Sequence, residues 1–221
     1  MANQTKLIRI GLTVIAVGGL LAGISSAAGQ PGGNSMSFFV TSGGPGDGGN
    51  LGGSVGADAH CQSLANAVGA GDRDWRAYLS TVEMDGQPGV DARDRIGIGP
   101  WHNAEGVMIA ANLDDLHSDA AGINKQTALS ESGKIINGRG DSPNQHDILT
   151  GTLRDGTAAD ATCLNWTSSG NAQSTYVGHT DLIGNPSGVN FWNYSHATRG
   201  CSQSALVSTG GAGLLYCFAA D

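Results

Sequence analysis

Two short pairings of histidine with aspartate are candidates for catalytic chemistry in this sequence. His146 directly precedes Asp147, and His179 stands two residues before Asp181. A carboxylate that orients an imidazole can prepare it for general-base work. Neither pair is accompanied by a Gly-x-Ser-x-Gly or His-Glu-x-x-His motif. We therefore favour structural hydrogen bonding over hydrolysis for these side chains, and we predict that the protein is not an enzyme.

The run Arg139-Gly140-Asp141-Ser142-Pro143 contains the tripeptide by which integrins recognise matrix proteins. It lies in residues 138–161, which are dense in Gly, Asp, Asn and Pro and are predicted to be mostly loop. Asp141, Asn144 and Asp147 together offer oxygens for a weak calcium site. Our preferred interpretation is that these side chains form turns, and integrin recognition and calcium binding remain alternatives.

A second loop candidate lies between the two middle cysteines, where Trp192, Asn193 and Tyr194 stand together. Aromatic and amide groups in a long loop suit sugar stacking or protein recognition. The other three tryptophans are expected in the core: Trp75, Trp101 and Trp166. The predicted ligand-binding residues therefore come from the two loops and are Arg139, Asp141, Asn144, His146, Asp147, Trp192, Asn193 and Tyr194.

The first 28 residues have the pattern of a cleaved secretion signal. Lys6 and Arg9 precede an apolar run over residues 10–24, and small residues follow it. We place the cut before Gly29, and we expect a flexible lead-in over residues 29–36 and one domain over residues 37–221. The mature chain is predicted to have no membrane span and to be secreted, periplasmic or held at the cell surface.

The composition indicates an acidic, loop-rich protein. The formal charge is −8, and it becomes −10 once the two cations of the signal are removed. Such a surface argues against nucleic acid as a partner. The 36 glycines follow no strict period, which excludes collagen and indicates many tight turns.

The periodicity of the apolar residues predicts an α+β domain. Ala57, Cys61, Leu64 and Val68 recur at helical spacing, which indicates a helix over residues 54–68 with Ser54 as its N-cap. Asn112 is expected to cap a second short helix, and Thr127 to Asn137 to form a hairpin. Strands are expected at residues 37–41, 76–81 and 106–110, near residues 148–149, and at residues 162–168, 175–178 and 214–219.

Four cysteines in an exported chain predict two disulfides, and their spacing alone allows three pairings. The order of motifs resembles the C-type-lectin-like fold, and most closely its endostatin-like branch. The segments that carry the resemblance are Gly56-Ala57-Asp58 before Cys61, Arg76 to Ser80, Asp94-Arg95, Pro100-Trp101, Asp155-Gly156 before Cys163-Leu164-Asn165-Trp166, Cys201, and the final strand Leu214 to Phe218. They cover residues 37–218, nearly all of the expected mature chain.

The resemblance implies two short helices, a mostly antiparallel sheet, long loops and nested disulfides. The implied pairs are Cys61–Cys217 and Cys163–Cys201. Bacterial surface proteins of leptospiral type that bind extracellular-matrix and serum proteins look similar, and the signal segment would suit a bacterium. The resemblance therefore implies adhesion, carbohydrate binding or extracellular-matrix binding.

The chain departs from the family at its metal sites. The calcium motifs of sugar-binding lectins each lose one carboxylate here: Ser142 stands for Glu in Asp141-Ser142-Pro143-Asn144, and Tyr194 stands for Asp in Trp192-Asn193-Tyr194. The expected mature N-terminus has no His before His60, so the zinc site that endostatins carry there is missing. No cofactor is therefore expected, apart from the calcium alternative.

From the sequence we predict a secreted or cell-surface protein that recognises a glycan or an extracellular protein through its loops. The alternative is a structural or assembly subunit of an extracellular layer or fibre, which the glycine-rich, acidic composition also fits.

Overall fold

The computed structural model describes residues 1–2, 36–183 and 189–221. The chain divides into two compact units, Met1–Pro31 and Gly32–Asp221, and the fold below is that of the second. The predicted signal beyond residue 2, its cleavage site and residues 29–35 of the lead-in lie outside the described residues. Among the helices of the described part, none is both long and apolar enough to cross a membrane.

The second unit is α+β, as predicted, with a few short helices and a mixed sheet. In the described ranges the strands are β1 (Phe38–Val40), β2 (Trp75–Ala77), β3 (Trp101–His102), β4 (Met108–Ala110), β5 (Asp147–Leu149), β6 (Tyr176–His179), β7 (His196–Ala197) and β8 (Gly211–Ala219). The helices are α1 (Gly53–Ala67), α2 (Leu113–Leu116) and α3 (Gln203–Val207), with a 3-10 turn at Ala92–Asp94.

The last strand, β8, is the centre of the main sheet. The sheet has the order β1-β8-β5-β6-β7, and β2 also pairs with β8. All of these pairs are antiparallel except β5 with β8, which is parallel. The sheet is therefore mostly antiparallel, as predicted, and the one parallel pair makes it mixed. β3 and β4 form a separate two-stranded sheet.

The alternation of side chains along β8 divides the core in two. Leu214, Tyr216 and Phe218 face a cluster that includes Trp101 and Trp192. Leu215, Cys217 and Ala219 face the other cluster, which includes Ala57, Cys61 and Ala65 of α1. A strand that is buried on both faces has a continuous run of apolar residues, as residues 214–219 do.

Both predicted disulfides are confirmed. Cys61 is bonded to Cys217 and Cys163 to Cys201, with Cα–Cα distances of 5.7 and 5.8 Å. The outer bond joins α1 to β8. Cys61 lies on the buried face of the helix, as the helical spacing predicted. The inner bond encloses the segment that carries β6 and β7.

The strand predicted at residues 162–168 is wrong. Cys163, Leu164, Asn165 and Trp166 instead form a left-handed turn, with φ between 51° and 67°. Left-handed residues cost about 1–2 kcal/mol each, so tertiary contacts must hold this turn. The Trp166 indole donates to the Ser80 carbonyl at 2.7 Å. The Asn165 amide group accepts from the backbone N–H of Val82 at 2.9 Å and donates to its carbonyl at 2.8 Å.

Other local predictions are corrected in detail. Helix α1 begins after Gly52, which has a φ of 75°, and has no side-chain cap, so Ser54 is not its N-cap. The strand predicted from Arg76 to Thr81 ends at Ala77. The Thr127–Asn137 hairpin is a single bridge between Leu129 and Ile135. Asn112 does cap α2, because its side chain accepts from the Asp115 amide.

Candidate metal centre

Three neighbouring strands bring the two histidine–aspartate pairs to one place. Asp147 opens β5 and lies opposite His179 of β6. His196 of β7 lies opposite Val177, two residues before His179 and therefore on the same face of the sheet. His146 directly precedes β5, and its carbonyl accepts from the Thr180 amide at 3.1 Å.

Three imidazoles converge on one carboxylate oxygen. Oδ1 of Asp147 lies 3.2 Å from Nε2 of His146, 3.2 Å from Nε2 of His179 and 3.6 Å from Nε2 of His196. Asp147 and His179 are 2% and 1% exposed. The ligand atoms of His146, Asp147 and His179 all lie within 4.8 Å of one another.

The three nitrogen–oxygen separations are close to the edges of a tetrahedral metal site, although His196 lies outside the compact group formed by His146, Asp147 and His179. Zinc binds imidazole nitrogen and carboxylate oxygen at about 2.0–2.2 Å, which places adjacent tetrahedral ligands roughly 3.3–3.6 Å apart. The same contacts are poor hydrogen bonds. Among the described residues, Asp147 Oδ1 and Oδ2 and His179 Nε2 are buried with no hydrogen-bond partner. Buried polar atoms are seldom left unpaired, and a bound cation would satisfy these three.

Each imidazole has an acceptor beside its second nitrogen. Nδ1 of His146 lies 3.0 Å from Oδ1 of Asp181, a buried carboxylate. Nδ1 of His179 lies 3.4 Å from the Ser195 hydroxyl oxygen, and Nδ1 of His196 lies 3.1 Å from the carbonyl of Ala197. Metal-binding histidines usually donate this N–H to a carboxylate, a carbonyl or water, which leaves Nε2 as the ligand atom.

The charge of the cluster also favours a divalent cation. Burial would raise the pKa of Asp147, but the nearby imidazoles of His179 and His196 lower it to about 2. Burial would likewise raise the pKa of Asp181, but bonds from His146 and from the amides of Arg139 and Ile183 lower it to about 2. Both carboxylates are therefore ionised, and the bond from His196 to Asp147 in turn raises the pKa of His196. Two ionised carboxylates beside imidazole nitrogens suit a divalent cation.

One ring must turn before an ion can bind. The rings of His146 and His179 are stacked at 4.2 Å with an interplanar angle of 18°, and two nearly parallel rings cannot both direct Nε2 at one point. The His146 ring is fixed by Asp181, whereas the 3.4 Å contact of His179 with Ser195 is weak. Rotation of the His179 ring would therefore complete the site. The rings of His179 and His196 already lie at 69° to each other.

Glycine makes room for the His146 ring. Gly210 has a φ of +112°, and a Cβ there would lie 2.5 Å from the side-chain nitrogen of Asn144 and 3.1 Å from the ring atoms Cδ2 and Nε2 of His146. A side chain at this position would be strained in its backbone and would press on a candidate ligand.

The ligand-binding residues predicted from the second loop lie mostly inside the protein. Trp192 is 1% exposed and its indole donates to the Leu116 carbonyl at 2.9 Å. Asn193 is fully buried, and its amide donates to the Tyr78 hydroxyl at 2.9 Å. Tyr194 is half-buried and stacks on Tyr176. Trp192 thus packs in the core, as Trp75, Trp101 and Trp166 do.

The residues grouped as a calcium site have different surroundings. Asp141 is exposed, and its Oδ2 accepts from Lys125 Nζ at 2.6 Å and from the Gly138 amide at 2.7 Å. Asn144 is half-buried beside His146 and accepts weakly from the His146 amide. Asp147 faces the imidazoles instead. Arg139 is exposed, so the Arg139-Gly140-Asp141 tripeptide lies on the surface.

Sequence reasoning placed His146 and Asp147 among the binding residues, interpreted His179 and Asp181 as a hydrogen-bonded pair, and missed His196. His146, Asp147, His179 and Asp181 stood out because each histidine has a nearby aspartate. His196 has no acidic residue within two positions and reaches the site only through the pairing of β7 with β6. A local pattern does not show that pairing. The side chain of His196 is 29% exposed, so the site reaches the surface at the edge of the sheet.

Comparison with known protein-family models gave no match, and comparison with curated proteins also gave none.

Proposed function

We propose that the protein binds one divalent transition-metal ion through His146, Asp147, His179 and His196, with Asp181 as the outer partner of His146. The observation that carries the proposal is the convergence of three imidazole Nε2 atoms on a buried carboxylate that has no hydrogen-bond partner among the described residues. Zinc suits three nitrogens and one oxygen in a tetrahedron best, although copper and nickel also bind imidazole.

The proposed role is binding rather than catalysis. Catalytic zinc sites usually have three protein ligands and keep a position open for water or substrate, whereas four protein ligands close a tetrahedron. The two disulfides support a location in an oxidising compartment outside the cytoplasm. We therefore propose an exported metal-binding module.

Titration of the purified, oxidised, chelator-treated protein tests this proposal. We expect calorimetry to give one zinc ion per chain, and cobalt to give the intense visible absorption of a tetrahedral site.

His196→Ala should weaken zinc binding by more than about 100-fold, since even partners outside the ligand set contribute 10–100-fold. His196 lies at the sheet edge, so this variant should keep its circular dichroism spectrum. The control is His102→Ala, outside the cluster. Equal affinity in both variants, or no binding by the parent protein, would refute the site.

A second candidate function is recognition of a glycan or an extracellular protein through the loop at residues 139–143, whose residues are all exposed. We expect the protein to bind on an array of glycans and matrix proteins, and Arg139→Ala to lose that binding while Arg199→Ala, also exposed, retains it. The array would be read with zinc, with calcium and with a chelator. No binding to any ligand on the array would favour the structural-subunit alternative.

A further inference from the structure

We propose that metal occupancy of the centre controls the conformation of residues 138–143, which we call the Arg139 loop. The inference rests on the proposed function. It is carried by Asp181, whose two carboxylate oxygens face two different parts of the molecule: Oδ1 faces the ring of His146, and Oδ2 faces the backbone of the Arg139 loop.

The contacts of Asp181 are short and protected. Oδ1 lies 3.0 Å from His146 Nδ1 and accepts from the Ile183 amide at 3.0 Å. Oδ2 accepts from the Arg139 amide at 2.6 Å, across 42 residues of sequence. Asp181 is 7% exposed, so water competes little for these bonds. The carboxylate therefore joins a candidate metal ligand to an exposed loop.

Several other contacts of the loop are local or exposed. The Asp141 amide donates to the Gly138 carbonyl at 3.1 Å, which closes a turn. The Lys125–Asp141 ion pair joins side chains that are 32% and 39% exposed. Exposed ion pairs contribute about 0–1 kcal/mol. The bond to Asp181 is thus a part-buried, long-range contact, and we expect it to help fix the position of the loop.

A metal ion would act on this tie through the proton of His146. When Nε2 binds a metal, the remaining proton is fixed on Nδ1, and the ring becomes a permanent donor to Asp181. Without a metal, no ligand bond at Nε2 enforces that tautomer, so the donor bond to Asp181 is held less firmly. Metal binding therefore holds Asp181 in place, and Asp181 holds the Arg139 amide.

The coupling must also act in reverse, because two linked binding events affect each other by the same factor. Gly138 offers a way to test that direction. A Cβ at Gly138 would lie 2.7 Å from Asp181 Oδ2 and 3.3 Å from the Lys125 side chain. Gly138→Ala should therefore displace Asp181 and weaken zinc binding from within the loop, without touching a metal ligand.

Limited trypsin digestion reads the loop directly, because Arg139 is exposed and the bond after it lies within the loop. We expect zinc to slow cleavage after Arg139 by about fivefold or more, the lower end of typical coupling between sites. Cleavage after Lys134, which is exposed but outside the loop, is the internal control. Mass spectrometry of the fragments separates the two cuts.

Asp181→Asn separates the coupling from metal binding. Its amide has one acceptor oxygen instead of two, so it cannot serve both His146 and Arg139. We expect zinc affinity to fall about 10–100-fold in this variant, and saturating zinc no longer to protect Arg139. Gly138→Ala should weaken zinc binding in the same direction, whereas Ser142→Ala, in the same loop but exposed, should leave affinity and protection unchanged.

The outcomes distinguish this inference from the proposed function. Zinc bound one to one with an unchanged rate of cleavage after Arg139 overturns the coupling and leaves the metal site standing. Equal protection in Asp181→Asn and the parent protein, with both saturated, also overturns it. No zinc binding by the parent protein overturns both proposals. Protection in the parent that is lost in Asp181→Asn supports the coupling.

Discussion

Zinc at a concentration 1,000 times its dissociation constant is expected to raise the melting temperature of the protein by roughly 8–16 °C. At that ratio a ligand of the folded state adds about 4 kcal/mol to the free energy of unfolding. In a domain of 150–250 residues, 1 kcal/mol corresponds to about 2–4 °C, and the unit that contains the site spans Gly32–Asp221. Differential scanning calorimetry with added zinc, and then with excess chelator, measures the shift and its reversal.

Variants test whether zinc bound at the histidine–aspartate cluster causes the rise in melting temperature. His179→Ala removes a buried candidate ligand, so zinc should no longer raise its melting temperature. His102→Ala lies outside the cluster and should keep the full shift. An equal zinc effect in both variants would place the stabilising ion elsewhere. If His179→Ala does not fold, His196→Ala provides the same comparison from the edge of the sheet.

Loss of the outer disulfide should cost about 5 kcal/mol of the free energy of unfolding. The bond closes a loop with a sequence separation of 156 residues, and in the chain-entropy model loops of this length contribute about 5 kcal/mol. Single domains are stable by about 5–15 kcal/mol in total. The double variant Cys61→Ala, Cys217→Ala should therefore unfold at a much lower urea concentration.

The inner disulfide is the matched comparison. Cys163–Cys201 has a sequence separation of 38, for which the same model gives about 4 kcal/mol. The double variant Cys163→Ala, Cys201→Ala should accordingly be the less damaged of the two. The opposite order in urea denaturation would contradict the entropic account and would show that the inner bond is needed to hold the left-handed turn at residues 163–166.

The sequence predicted the elements whose pattern is local. The helical spacing around Cys61 and the apolar run at residues 214–219 both correspond to observed elements, and the disulfide pairs implied by the resemblance are present. The left-handed turn at Cys163–Trp166 was missed because its sequence contains no glycine and its conformation depends on Ser80 and Val82, about 80 residues earlier. Distant contacts that override local preference leave no local signal.

The sequence indicated several residues of the candidate site but did not show that they lie together. The two histidine–aspartate pairs indicated oriented imidazoles, and hydrogen bonding was the favoured interpretation. Their convergence depends on the register of β5 with β6 and of β6 with β7, which places Asp147 opposite His179 and His196 opposite Val177. A shift of one residue would place Asp147 and His179 on opposite faces in the first pairing, or His179 and His196 on opposite faces in the second. The register is therefore what turns scattered histidines into a cluster.

The central position of β8 has a consequence for how the chain folds. β8 follows every other strand in the sequence, yet β1, β2 and β5 all pair with it. The main sheet therefore cannot be completed until nearly the whole domain has emerged from the ribosome. Folding that waits for such distant contacts is slow and leaves unpaired strand edges exposed for longer. If the protein is exported, as we propose, a delay of this kind would keep the polypeptide unfolded during passage across a membrane and postpone assembly until the cysteines meet an oxidising environment.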